Sequence, residues 1–296
     1  MTRLRRNHTR SKSGGMALRF ILFAILLMVL MWSLYRQMNQ IEFSKTDSEM
    51  MVPASERFYL PTAQGQVVHH DYYSLSYIEK HEQAEWVAYR LTRDMLKVPN
   101  VERADRFNPD YDIKSRSALH RDYSNSGFTR GHLAPAGDMA HNHKAMQESF
   151  LMSNISPQKR KFNNGIWKEL EENVRDWAYS RGEIYIVTGP ILDDPISQKI
   201  GGNKVSVPQQ FFKIILDVSS INLESIAFLI PNERSEKKLD QYTISIDQIE
   251  EITGIDFFYE LLSDDEEERI ESKIDVEPWK ISDKRYRLRV EKWNLQ

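Results

Sequence analysis

The first clear pattern along the chain is an uncharged apolar run at residues 20–34, which follows an N-terminal stretch rich in Arg and Lys. Extended to residues 16–35, the segment would form a helix about 30 Å long, which matches the hydrocarbon core of a bilayer. Arg19 would then lie at the cytoplasmic edge, where its side chain can snorkel. The pattern predicts a basic cytoplasmic tail over residues 1–15 and a transmembrane signal anchor over residues 16–35.

The orientation of this segment follows from its charges. The basic flank is N-terminal, so the positive-inside rule places the N-terminus in the cytoplasm and the rest of the chain, after a polar tether at residues 36–60, in the periplasm or outside the cell. A cleaved signal peptide would show a small-x-small site after its apolar core. The sequence WSLYRQM at residues 32–38 is a poor match, which favours an uncleaved anchor. An organellar targeting segment with an anchor is the third alternative, and it would place the chain in the mitochondrial intermembrane space.

Beyond the tether, the spacing of apolar residues indicates both strands and helices. Aromatic and β-branched stretches predict strands at residues 67–77, 183–188, 211–217 and 225–230. Helical spacing predicts a helix over residues 163–179, a second over residues 245–251 with Ser245 as N-cap and an end near Gly254, and a short helix running into a strand over residues 82–92. Residues 108–127 are rich in turn-forming residues and predict a long loop. Because strands and helices are mixed without βαβ alternation, an α+β fold is expected.

The last part of the chain changes in composition. Residues 264–268 are all acidic, and residues 284–289 are mostly basic. We interpret residues 264–296 as a charged C-terminal extension, either a solvated tail or an appended helix.

Composition and charge exclude several kinds of site and of nucleic-acid binding. The 296 residues are 41% hydrophobic and 28% charged, as is usual for a globular protein, and the net charge of -3 argues against a protein that coats nucleic acid. A local basic cleft remains compatible with this charge. The chain has no cysteine, which excludes disulfides, thiolate zinc sites and a cysteine nucleophile.

Three ordered motifs carry the candidate chemistry. They are GFTRGHLAPAGDM from Gly127, LMSNISPQ from Leu151 and FNNGIWKELEE from Phe162. In this order and spacing they resemble the DNA/RNA non-specific endonuclease family of the ββα-metal superfamily, and the similarity runs from about His70 to Leu262. The resemblance implies a ββα-metal nuclease domain with a mixed or antiparallel sheet over residues 61–263.

The residue types suit phosphodiester hydrolysis, which needs a base for water, a cation near the phosphate and positive donors. The resemblance makes His132 the general base, and a histidine is largely neutral at pH 7, ready to accept a proton. It makes Asn163 the ligand of Mg²⁺, with Mn²⁺ as an alternative. Magnesium keeps most of its waters, so a single amide oxygen suits it. Asn164 is adjacent, and a helix N-cap is the structural alternative for Asn163.

The resemblance assigns further residues around this pair. Glu171 would accept hydrogen bonds from metal-bound water, and Asn154 would orient the site through hydrogen bonds. Arg130 would approach the phosphate or brace the loop. An upstream phosphate-binding arginine matches either Arg103 or Arg106, with Arg103 favoured.

The chain departs from the family pattern at one position. Many members carry Asp immediately before Arg-Gly-His, whereas this chain has Thr129. The base and the metal ligand are retained, so activity is still expected, with a different local hydrogen-bond pattern. His141 and His143 imitate a pair of metal ligands, although a helix or loop surface fits them better.

The expected function is therefore sequence-non-specific, metal-dependent endonucleolytic cleavage of DNA and RNA. His132 would activate the attacking water, and Mg²⁺ held by Asn163 would stabilise the transition state and the leaving oxygen. Two alternatives are a nuclease-fold protein that binds nucleic acid without turnover and a membrane-tethered protein that binds a partner. The sequence leaves open whether the chain forms a homodimer.

Overall fold

The computed structural model describes residues 19–33, 35, 59–192, 198–218 and 223–295. The chain divides into two compact units, Met1–Met50 and Met51–Gln296. In the first unit, residues 19–33 form helix α1.

Helix α1 corresponds to the middle of the predicted transmembrane anchor at residues 16–35. Over the residues that the structure describes, no helix combines the length and the apolar character needed to cross a membrane. The predicted transmembrane helix is therefore not supported. Parts of three predicted segments lie outside the described residues: the tail at 1–15, positions 16–18 and 34 of the anchor, and positions 36–58 of the tether.

The second unit contains eleven strands among its described residues. They are β1 (Gln66–His69), β2 (Ser74–Ile78), β3 (Gln83–Thr92), β4 (Thr129–His132), β5 (Ile155–Gln158), β6 (Glu183–Pro190), β7 (Lys199–Ile200), β8 (Val205–Ser206), β9 (Gln210–Asp217), β10 (Glu224–Pro231) and β11 (Thr243–Ile244). Seven of them form an antiparallel sheet in the order β1-β2-β3-β6-β9-β10-β11, while β4 pairs with β5 and β7 with β8.

Six α-helices accompany these strands in the described part of the second unit. They are α2 (Arg93–Lys97), α3 (His143–Ser149), α4 (Lys168–Arg181), α5 (Ile246–Thr253), α6 (Asp264–Glu271) and α7 (Asp283–Glu291). The predicted α+β class is confirmed. Helix α5 also begins after Ser245, whose side chain accepts from the backbone of Gln248, and ends at Gly254 with φ 67°.

Three predicted elements differ from the structure. Residues 67–77 form a hairpin, β1 and β2, rather than one strand, and residues 83–92 are strand throughout. Strand β3 is central and covered on both faces, so its nearly continuous burial lacks the period-two pattern of a half-exposed strand. The predicted helix over residues 163–179 is a π-helical turn at Phe162–Trp167 followed by α4, because Gly165 leaves helical geometry at φ -105°, ψ -112°.

The large sheet separates two layers. On one face, Phe212, Ile214 and Leu216 of β9 share a core with α5 and α6. On the other face, Phe211 and Lys213 of the same strand contact Trp167, next to α4. Since successive side chains of a strand point to opposite faces, α5 and α6 cover one side of the sheet and α4 covers the other.

The charged C-terminal extension contains helices α6 and α7 rather than a solvated tail: α6 packs beside α5 and β10, and α7 packs against α4. Arg289 of α7 is fully buried and pairs with Glu169 of α4, which is also fully buried. The same guanidinium donates to the carbonyl oxygens of Ser235 and Lys237. Removing one partner of a buried pair of this kind typically costs about 3–5 kcal/mol, because the other charge is left without compensation.

Candidate active site

An open cavity of about 250 Å³ lies where the β4–β5 hairpin, the π-helical turn and α4 meet. It brings together four of the residues predicted for the site, which are Arg103, His132, Asn163 and Glu171. The remaining lining residues are Pro135, Ala136, Gly137, Asn164, Lys168 and Arg175.

The hairpin of β4 and β5 sets the position of His132. His132 pairs with Ile155, and Gly131 pairs with Ser156 across the hairpin. A Cβ at Gly131 would lie 2.0 Å from the buried Gln158 side chain, so only glycine fits there. The hairpin is joined to the large sheet by a 2.6 Å hydrogen bond that Ser156 Oγ donates to Gln83 Oε1.

Asn154 fixes the chain directly after the base. Its fully buried side chain accepts from the N–H of Ala134 at 2.8 Å and donates to the carbonyl oxygens of Ala134 and Ser149. The Leu133 N–H donates to the Asn154 carbonyl oxygen at 3.0 Å. Asn154 does not line the cavity; its contacts hold the segment that follows His132, and its orienting role stays a prediction.

The imidazole of His132 is held in an apolar setting. Its ring lies 4.8 Å from that of Phe150 and 5.6 Å from that of Phe107, and Nε2 is buried without a hydrogen-bond partner. Burial, together with the positive charge of Arg103, lowers the pKa of His132 to about 3. The ring is therefore neutral across the physiological pH range, which is the protonation state a general base requires.

Asn163 is oriented by the residue that departs from the family pattern. Thr129 Oγ1 donates its only hydrogen to the Gln158 carbonyl oxygen at 2.9 Å, so toward Asn163 it acts only as an acceptor. Asn163 Nδ2 donates to it at 2.9 Å. The amide nitrogen is thereby directed at Thr129, and Oδ1 is the other polar atom of this cavity-lining side chain.

Helix α4 contributes a charged network. Burial raises the pKa of Glu171, and the charges of Arg175 and Lys213 oppose that shift. Arg175 donates to Asp138 Oδ1 at 2.8 Å, and Tyr89 donates to Asp138 Oδ2 at 2.8 Å. Fully buried Lys213 has its pKa lowered by burial, and its Nζ lies 4.8 Å from the centre of the Trp167 ring.

The two predicted phosphate-binding arginines occupy different places. Arg103 lines the cavity, with its guanidinium 5.0 Å from the centre of the Phe150 ring, whereas Arg106 is exposed beside Asp105. Arg130 lies outside the cavity lining, donates to the His120 carbonyl oxygen at 3.2 Å, and has its guanidinium 5.6 Å from the Phe107 ring centre. Its contacts are those of the loop-bracing alternative.

Sequence reasoning missed three basic residues of the site, Lys168, Arg175 and Lys213. Lys168 and Arg175 lie three residues before and four after Glu171, so helical spacing would have placed all three on one face. A lone lysine within the apolar strand at 211–217 was the available signal for Lys213. His141 is buried near the Asp138 carbonyl oxygen and His143 begins α3, and neither lines the cavity.

The sequence of residues 53–264 matches the profile of the DNA/RNA non-specific endonuclease family, which covers well over half of the chain. The chain belongs to this family. It is 33% identical to "Nuclease EXOG, mitochondrial" of Danio rerio over 217 residues, 68% of this chain and 63% of that protein. It is 31% identical to "Endonuclease G, mitochondrial" of Caenorhabditis elegans over 253 residues, 76% of this chain and 82% of that protein.

A solved structure supports the family assignment at the level of the fold. A chain in the crystal structure of the EndoG/EndoGI complex superposes with a TM-score of 0.64 at 28% identity, covering 72% of this chain and 91% of that one. The match to the zebrafish protein spans less than two thirds of that protein's length. The family and the fold of this chain are established by the profile match and the structural superposition.

Proposed function

We propose that this protein is a metal-dependent endonuclease that hydrolyses phosphodiester bonds of DNA and RNA without sequence specificity. The observation that carries the proposal is a single open cavity lined by the neutral imidazole of His132, the oriented amide of Asn163 and the carboxylate of Glu171. Family membership supplies the substrate class, and the relatives above are named as nucleases.

In this proposal His132 takes the proton from the attacking water. Its pKa, lowered by burial and Arg103, keeps the ring unprotonated before the reaction, and the hairpin and Asn154 hold it in place. Arg103 and Lys168, both at the cavity, donate to the non-bridging phosphate oxygens. Contacts of this kind address the backbone rather than base edges, so cleavage is independent of sequence.

The residues present fit a magnesium ion. The donor set is all oxygen, with Asn163 Oδ1 as the direct ligand and Glu171 placed to accept from coordinated water. Magnesium keeps several waters and needs few protein ligands, which an open cavity of about 250 Å³ permits. Mn²⁺ has the same preference for oxygen. When bound, the ion supplies positive charge that stabilises the phosphorane-like transition state and the departing oxygen.

The direct test is digestion of supercoiled plasmid and of a structured RNA by the full chain. We expect nicking and RNA degradation with Mg²⁺ and none with EDTA, because the charge near the phosphate is then missing. Cleavage that persists in EDTA would contradict the metal requirement. Binding of both nucleic acids without cleavage at any Mg²⁺ or Mn²⁺ concentration would favour the alternative of a nuclease fold that has lost turnover.

Thr129 is proposed as the residue that positions Asn163. In a Thr129→Val variant the amide loses its acceptor and rotates, presenting nitrogen as well as oxygen to the ion. The Mg²⁺ concentration for half-maximal cleavage should rise about 10- to 100-fold, as is typical when a partner of a metal ligand is removed. Thr129→Ser keeps the hydroxyl and should stay close to the parent. Equal Mg²⁺ dependence in the Val and Ser variants would contradict this role.

The cellular location is a separate proposal. Both relatives described above are named as mitochondrial, which favours the mitochondrial alternative over the periplasmic or extracellular one. Homodimer formation stays a prediction.

A further inference from the structure

Three carboxylates converge on the sheet face opposite α4, where α5 and α6 pack together. One carboxylate oxygen each of Asp247, Glu250 and Glu271 lies within 4.8 Å of the other two. Glu271 is only 4% exposed, and its Oε1 is buried without a hydrogen-bond partner. An unpaired carboxylate is costly to bury, so this side chain calls for a partner that protein groups do not supply.

The surroundings of the three residues are negative as well. Asp256 and Glu267 add their charges to the field at both Glu250 and Glu271. Burial, and then the negative charge of Glu250, raises the pKa of Glu271 to about 9. Burial raises the pKa of Glu250 to about 7. Arg269 of α6 acts on Glu266 instead. The convergence of these carboxylates and the buried, unpartnered Oε1 of Glu271 favour a bound cation.

We propose that Asp247, Glu250 and Glu271 form a second metal site that binds Ca²⁺ or a chemically similar hard divalent cation. The donors are all oxygen, and one oxygen from each of the three carboxylates, completed by water, suits the six to eight oxygens that Ca²⁺ takes. Opposite oxygens around Ca²⁺ are about 5 Å apart, given bond lengths of roughly 2.3–2.6 Å, so a spread within 4.8 Å fits one ion. Mg²⁺ requires a stricter octahedron and loses water reluctantly, so it fits this half-buried cluster less well.

This site is separate from the nuclease cavity. Ile246 and Ile249 of α5 and Ile270 of α6 share the core of Phe212 and Ile214, whereas the cavity lies on the α4 side of the sheet with Phe211 and Lys213. An ion held by Asp247, Glu250 and Glu271 links α5 to α6 over that core. Its role is to stabilise the fold, since it binds only the folded chain.

The test is thermal unfolding of the metal-stripped full chain with added CaCl₂. We expect a saturable rise in Tm with Ca²⁺ that is larger at pH 8 than at pH 5, because protons compete for raised-pKa carboxylates at the lower pH. Glu271→Gln, which keeps the side-chain shape, should weaken Ca²⁺ binding at least tenfold in isothermal titration calorimetry. Glu268→Gln, an exposed position of the same helix, should retain the full response.

A variant of the nuclease cavity distinguishes this site from the proposed Mg²⁺ site. Asn163→Ala should keep the Ca²⁺-dependent rise in Tm whether or not the protein proves to be a nuclease. The proposal is overturned if Ca²⁺ leaves Tm unchanged at pH 8, or if the rise is the same in Glu271→Gln as in the parent. A Tm that rises only on acidification, with no response to Ca²⁺, would show that the cluster holds protons alone.

Discussion

His132→Ala should lower the rate of Mg²⁺-dependent plasmid cleavage by about 10²–10⁴-fold, the usual contribution of a general base. The substitution removes the neutral imidazole that lines the cavity and leaves the Asn163 amide and its Thr129 contact in place. Single-turnover rates with saturating DNA measure the effect on the chemical step, and calorimetric titration of Mg²⁺ into the variant should show nearly unchanged affinity.

A matched control for this substitution is available eleven residues along the chain. His143→Ala changes an exposed histidine at the start of α3 that does not line the cavity, and it should cleave like the parent. The pKa of His132, lowered to about 3, also predicts how the parent's cleavage rate depends on pH. Protonation of this ring should not reduce the rate above about pH 4. Cleavage by His132→Ala at the parental rate would rule out the assigned base.

Asn163→Leu should reduce cleavage to a similar extent, by about 10²–10³-fold at 1–10 mM Mg²⁺. Leucine has nearly the same shape as asparagine and no oxygen, so the proposed direct metal ligand is lost. The metal contributes several kcal/mol to stabilisation of the transition state, and each 1.36 kcal/mol corresponds to a factor of ten in rate. Asn163→Asp, which keeps one ligand oxygen, should recover a measurable part of that activity.

Asn164 provides the comparison that distinguishes the two neighbouring amides. It also lines the cavity but has no hydrogen bond to Thr129 that would direct its oxygen, whereas Asn163 does. Asn164→Leu should therefore raise the required Mg²⁺ concentration far less than Asn163→Leu. If the order of the two effects is reversed, Asn164 is the ligand and the orienting role of Thr129 is wrong.

The fold class could be predicted because strand and helix patterns were distinct in most segments. Helix α5, for example, is delimited by local signals alone, the Ser245 cap and Gly254. Strand β3 was partly misassigned because a central strand covered on both faces has no alternation to read. The start of α4 was missed by five residues because the non-helical backbone of Gly165 depends on packing around it rather than on local propensity.

In the candidate site, too, some residues could be predicted from the sequence and others depend on tertiary packing. Ordered motifs pointed to His132, Asn163, Glu171 and Arg103, which the fold brings to one cavity. Lys213 could not be placed from spacing, because its contact with Trp167 depends on how β9 packs against α4 in three dimensions. The hydrogen bond from Asn163 to Thr129 likewise joins residues 34 positions apart, through the pairing of β4 with β5.

The buried pair of Glu169 and Arg289 bears on the order in which the molecule matures. Glu169 lies two residues before Glu171, and its guanidinium partner is translated 120 residues later. Until α7 has been made, Glu169 lacks this partner, and burying its carboxylate in the final packing of α4 would be costly. We therefore expect α4 to reach its final packing only after α7 has been made and has docked.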